Sequence, residues 1–96
     1  MPVNHIVCFK FKEGTSAHRI AEHLASLATL GAHVPGIRRL SLGENFTQRS
    51  LGYTHGMVVE LEDREALTTY LPHPYHAAIS TALRVDAEIF ALDYEF

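Results

Sequence analysis

Between Tyr70 and His76 the chain reads YLPHPYH, a run of two tyrosines, two histidines and two prolines. Imidazole changes charge most readily near neutral pH, which makes histidine the usual general base. A nearby phenol can donate a hydrogen bond to a developing enolate or alkoxide. One proton acceptor and one oxyanion donor suffice for an aldol-type step, with His76 as base and Tyr70 as donor. The prolines decide where these groups sit. Leu71 and His73 each precede a proline, which disfavours helical geometry, so a helix must break there. With His73 as N-cap and Pro74 as the first helical residue, His76 falls in the first turn. The partial positive charge of a helix start favours the neutral imidazole.

The same residues carry a structural reading. Tyr70 shares a helical stripe with Ala66 and Leu67, as a core ring whose hydroxyl reaches the rim. His73 caps a helix or bonds the broken backbone, and His76 crosses to a partner chain. His5 and His55 sit on strand faces beside Val7 and Met57, where a lone histidine is ordinarily a hydrogen-bonded core residue. Tyr53, two residues before His55, reads as packing at the edge of the same set. On residue types alone the structural reading leads. His18, His23 and His33 read as surface or helix-end residues.

Metal and cofactor chemistry find no support. His73-x-x-His76 with His5 or His55 gathers at most a few imidazoles, without H-E-x-x-H or a cysteine pattern. No glycine-rich strand-to-helix loop and no G-x-S-x-G elbow occurs. The expectation is a site with no metal and no cofactor.

The elements that would hold these residues follow from hydrophobic periodicity. Val3 to Lys12 reads as a strand, apolar on both faces in its first half, with His5, Val7 and Phe9 opposite Ile6 and Cys8. Thr15 or Ser16 caps a helix running to about Ala32, with Ile20, Leu24 and Leu27 on its apolar stripe. Pro35-Gly36 ends that segment. A second strand spans Ile37 to Phe46 and a third Tyr53 to Leu61, with Tyr53, His55, Met57, Val59 and Leu61 on one face. Asp63 caps a short helix ending near Tyr70. Pro74 opens another to about Leu83, and Glu88 to Phe96 closes the chain as a strand. The order β-α-β-β-α-β is that of a ferredoxin-like α+β sandwich.

Helices cover only one face of such a sheet, which leaves an apolar second face too large for a comfortable monomer. Two sheets packed face to face in a twofold dimer remove that exposure. A homodimer through the sheet faces is expected, with the kinked corner overlooking the space near the junction.

The 96 residues suit one domain, residues 1–96. A net charge of −3 with scattered basic residues gives no footprint for nucleic acid or an anionic membrane. No apolar run approaches the roughly 20 residues that span a bilayer, and MPVNHIVCFK lacks a signal-peptide pattern. Cys8 is the only cysteine. A reducing, cytoplasmic setting is the expectation.

HIVCFKFKEGTS (5–16), VPGI (34–37), GYTHGMVVELEDREALTTYLPHPYH (52–76) and the terminal ALDYEF resemble the stress-responsive α/β barrel domain proteins over nearly the whole chain. The resemblance implies a dimeric ferredoxin-like α+β barrel, a family most of whose members have no assigned activity. It implies a small-molecule cavity near His5, His55 and His73, and Tyr53, beside His55, is counted among its candidate lining residues. One branch of the family, in plants, works as polyketide cyclases that close a linear polyketide by intramolecular aldol condensation without metal or organic cofactor. Their catalytic tyrosine and histidine in Y-x-x-H-P-x-H match Tyr70 and His76 by position. Those cyclases carry bulky aromatics where this chain has His23-Leu24, and larger rings where it has STALRVDAE, which implies a different ligand. Related dimeric α+β barrels include monooxygenases that oxidise aromatic substrates.

Overall fold

A computed structural model describes all residues, Met1–Phe96. At its centre β1 (Val3–Phe11) pairs antiparallel with β3 (His55–Leu61) on one side and β4 (Ala87–Glu95) on the other. β2 (Ile37–Glu44) adds outside β3, giving the order β2-β3-β1-β4. Four helical segments accompany the sheet: α1 (Ala17–Ala28), α2 (Leu30–His33), α3 (Arg64–Tyr70) and α4 (Pro74–Asp86). This is the ferredoxin-like α+β arrangement expected from the order of elements.

Strand parity separates the two faces. Val3, His5, Val7 and Phe9 of β1 are buried beneath the helices, as are Met57, Val59 and Leu61 of β3. Leu27, Leu30, Tyr70 and Leu83 complete that core from the helical side. The opposite face carries Val58, Phe90, Leu92 and Tyr94, each between 37% and 48% exposed, with Phe96 just beyond the strand end. The bare apolar face anticipated from the sequence is therefore present.

Helix ends follow local chemistry. Ser16 caps α1 by accepting the Arg19 N–H at 3.1 Å, and Asp63 caps α3 by accepting that of Ala66 at 2.8 Å. His73 caps α4 through Nδ1, which accepts the Tyr75 N–H at 3.1 Å, and Pro74 occupies the first helical position.

Several boundaries differ from expectation, each for a local reason. The first helix breaks at Thr29, whose hydroxyl donates to the Ser26 carbonyl at 2.6 Å and competes with the regular ladder. Leu27, Leu30 and Val34 are all buried across that break. α4 runs on past Leu83 to Asp86, whose Oδ2 accepts from Arg19 Nε (2.9 Å), Arg19 Nη2 (2.6 Å) and His23 Nε2 (2.7 Å). Those donors outweigh the unfavourable placement of an acid at a helix C-terminus, and His23 is accordingly no bystander. β2 stops at Glu44. Asn45 then folds its amide onto the Thr47 carbonyl and Ser50 Oγ, leaving Phe46 96% exposed. β3 starts at His55, so Tyr53 does not share the face of His55 and Met57. A turn with positive φ at Leu51 and Gly52 precedes it, and Tyr53 packs edge-on against Phe90 on the uncovered side.

Gly36 shows how tightly the turn before β2 is fitted. Its φ is +86°, and an added Cβ would lie 2.8 Å from the Ala66 Cβ of α3. Gly36→Ala combines a left-handed backbone penalty with overpacking, and should cost roughly 3 kcal/mol. A lowered urea midpoint with unchanged m value would verify this; an unchanged midpoint would refute the close fit.

Candidate functional site

A cavity of about 120 Å³ lies between the inner face of the sheet and α4. Nine of its thirteen lining residues are hydrophobic, so it selects a mostly apolar occupant. An engineered cavity of ~150 Å³ holds benzene, which sets the scale at about one ring. The other four are His5, His76, Ser80 and Arg84, and Tyr70, counted with the hydrophobic set, adds a hydroxyl.

Tyr70 ends α3 and is fully buried. Its ring stands between two imidazoles. The His5 ring meets it edge-on at 5.4 Å between centroids, and the His76 ring lies at 4.3 Å, tilted by 40°. The Tyr70 hydroxyl is buried without any hydrogen-bond partner. Such an orphan typically costs about 1–3 kcal/mol. Burial also pushes its pKa far above the ordinary phenol value of 10, so it is a donor and not a phenolate at neutral pH.

Each imidazole is held by its other nitrogen. His5 faces Asp93 directly across the β1–β4 ladder, and its Nδ1–H donates to Asp93 Oδ1 at 2.5 Å. That bond fixes the ring and leaves Nε2 as its second polar atom. His76 donates Nδ1–H to the Leu71 carbonyl at 3.0 Å, which only a protonated Nδ1 can do. The proline-rich corner thus supplies the acceptor that selects the tautomer, and Nε2 keeps its lone pair. Burial lowers the His76 pKa below the ordinary 6.5; the Leu71 bond opposes this, and the field of His5, Arg84 and His73 adds to it. Near pH 7 the site holds a neutral acceptor beside a phenolic donor.

Three of the residues singled out from sequence meet here: His5, Tyr70 and His76. The others lie elsewhere. His55 stacks on Phe9 at 5.4 Å, and its Nδ1 pairs with Thr54 Oγ1 at 2.8 Å. With Tyr53 it borders a separate recess beside the Asn45–Ser50 loop. Tyr53 also carries Lys10 Nζ 4.8 Å above its ring. His73 is engaged as a helix cap and does not line the Tyr70 cavity. The corner also opens on the helical side of the sheet, not toward a sheet–sheet junction. The parity of β1 that buries His5 beneath the helices brings Tyr70 and His76 to the same side.

Asp93, Ser80 and Arg84 were missed. A signal for Asp93 existed: it is an acid between Leu92 and Tyr94, hence on the face opposite those apolar residues. Ser80 and Arg84 follow His76 at steps of four along α4, which places all three on one helical face.

Two measurements probe this geometry. Tyr70→Phe deletes the orphan hydroxyl while keeping the ring, and should leave the unliganded protein as stable or about 1 kcal/mol more stable. A loss above about 2 kcal/mol in denaturant unfolding would mean that the hydroxyl has a partner in the chain. Burial lowers the pKa of both His55 and His76 from 6.5. The unfolded chain therefore takes up protons first, so stability is full above 6.5 and is lost as pH falls toward the folded-state values. Thermal midpoints should drop between neutral and mildly acidic pH, and His76→Gln should flatten the slope; a slope unaffected by that change would refute the assignment.

The sequence profile of the stress responsive A/B barrel domain matches residues 3–96. The stress-response A/B barrel domain-containing protein HS1 of Arabidopsis thaliana is 28% identical, over 98% of this chain and 89% of that protein. Olivetolic acid cyclase of Cannabis sativa is also 28% identical, over 88% of this chain and 85% of its own length. A dimeric ferredoxin-like protein of unknown function from Jannaschia superposes with a TM-score of 0.86 at 27% identity, covering 100% of both chains. The profile match runs from β1 to the end of the chain and takes in both the YLPHPYH corner and the strand that carries Asp93. This chain belongs to the stress responsive A/B barrel domain family.

Proposed function

We propose that the chain works as a homodimer, joined through its uncovered sheet faces, in which each protomer binds one small organic molecule in the Tyr70 cavity. The observation that carries the binding half is Tyr70, which lines an apolar cavity and whose hydroxyl is buried without a partner. A ligand oxygen or nitrogen would satisfy it, and the cavity size limits the body of that ligand to about one ring. The dimer half rests on the exposed residues Val58, Phe90, Leu92, Tyr94 and Phe96. A relative at 27% identity is described as dimeric, which agrees. No helix is long and apolar enough to cross a membrane. With a single half-buried cysteine, the reducing cytoplasm is the compartment we assign.

A second reading has its own support. His76 is neutral with Nε2 available, and Tyr70 is a donor beside it. That pair fits a cofactor-independent cyclase or lyase acting on an enolisable molecule. His76 Nε2 would take the α-proton and Tyr70 would donate to the enolate oxygen. Similarity to olivetolic acid cyclase is consistent with that chemistry. A cavity of about 120 Å³ limits the body of the substrate to about one ring. No feature of the site speaks for the oxygenase reading.

Sedimentation should give a dimer, and Leu92→Glu, which places a charge on the apolar face, should give a folded monomer. A monomeric native protein would end the dimer proposal. Acetophenone, one ring with an enolisable methyl ketone, tests the site. It should raise the thermal midpoint of the native protein but not of Tyr70→Phe. On the second reading the protein also accelerates exchange of the methyl protons in D₂O, and His76→Gln abolishes this. Equal exchange with both proteins would remove the catalytic role.

A further inference from the structure

α4 turns three polar side chains toward the cavity at intervals of four residues: His76, Ser80 and Arg84. Residues so spaced stack on one face of a helix, about 6 Å apart along the axis. Helical side chains lean back toward the N-terminus. Arg84 therefore leans along the cavity toward Ser80 and His76, and its charge is felt at the His76 ring.

Arg84 is also unneutralised. Arg19, Arg38 and Arg64 form ion pairs, whereas Arg39, Arg49 and Arg84 form none, and of these three only Arg84 lines the cavity. Two acids, on the same helix and the neighbouring strand, are already engaged. Asp86 is held by Arg19 and His23, and Asp93 by His5. An apolar cavity thus has one permanent charge in its lining, and that charge has no counterion within the chain.

We infer that the ligand of this cavity is a small organic monocarboxylate, its carboxylate seated on Arg84, its apolar body along the cavity and a polar atom at its far end directed toward Tyr70 and His76. This inference rests on the binding role proposed above and adds the chemical class of the ligand. A guanidinium presents parallel N–H donors that match a planar carboxylate. No second permanent cation lines the cavity to balance a phosphate dianion. Two steps of four residues span roughly 12 Å of helix, of which the extended arginine side chain covers about half. The remaining distance fits one ring bearing a carboxylate. In that pose the end of the ligand far from the acid meets the orphan hydroxyl.

The test compares benzoate with benzamide, its neutral isostere, by ¹H–¹⁵N NMR titration of the full-length protein. Native protein should bind benzoate about tenfold more tightly, a difference of about 1.4 kcal/mol. Arg84→Gln should erase the preference without altering the fold, since Arg84 is exposed, and Arg84→Lys should restore part of it. Equal affinities in the native protein, with shifts at the cavity residues, would overturn the carboxylate assignment while leaving the binding role intact. So would a benzoate preference that survives Arg84→Gln, or displacement of benzoate by equimolar inorganic phosphate. If neither benzoate nor benzamide perturbs the cavity at millimolar concentration, both the inference and the binding role fall.

Discussion

β1 is paired along both of its edges, so its side chains have only two directions available, and everything functional in this molecule depends on that alternation. Odd-numbered residues from Val3 to Phe9 point beneath the helices, and the even-numbered ones point to the open face. A slip of one residue would exchange the two sets completely. His5 would leave the cavity, Asp93 would lose its partner, and the core would turn outward. Register is strongly specified because Phe9 and Val3 are almost wholly buried on one side only. The same constraint fixes the apolar residues of β4 on the uncovered face, where a second copy of the chain would bury them.

Around that scaffold most local chemistry is satisfied. Helix starts are capped by Ser16, Asp63 and His73, and the last turn of α4 is anchored by Arg19 and His23. The buried histidines each have a partner: Asp93 for His5 and Thr54 for His55. Against this background the Tyr70 hydroxyl is the exception, the one buried side-chain polar atom left without a bond. Natural sequences break local rules mainly where function requires it. Phenylalanine would fill the same space at lower cost, and that cost is what the proposed ligand would offset.

The proline pair explains how this exception is built. Pro72 and Pro74 prevent α3 and α4 from merging into one helix, which leaves the Leu71 carbonyl free to receive His76. The break therefore does two jobs. It ends α3 with Tyr70 in the core, and it orients the imidazole that sits against the Tyr70 ring. Along α4, the step of four that links His76, Ser80 and Arg84 carries polarity from this buried end out to the solvent edge.

Much of this was legible in the chain itself. Alternation in β1 and β3, cap residues before each main helix, and the helix-breaking prolines are local signals, and they gave the order of elements and the apolar second face. Tyr70 and His76 stood out because their spacing and neighbours are local too. What sequence could not settle was which side chains from distant segments share a cavity. His5 and His55 look alike on paper, each a histidine on a buried strand face. The register of β1 against β4 gives the first an aspartate and the packing of α3 gives it a tyrosine, while the pairing of β1 with β3 sets two phenylalanines against the second, whose polar partner is the adjacent Thr54. Arg84 and Asp93 gained meaning only when α4 and β4 folded back over β1. Periodicity reports the direction of a side chain within its own element, but the distance between elements is set by packing across the whole core, and only the tertiary structure decides that.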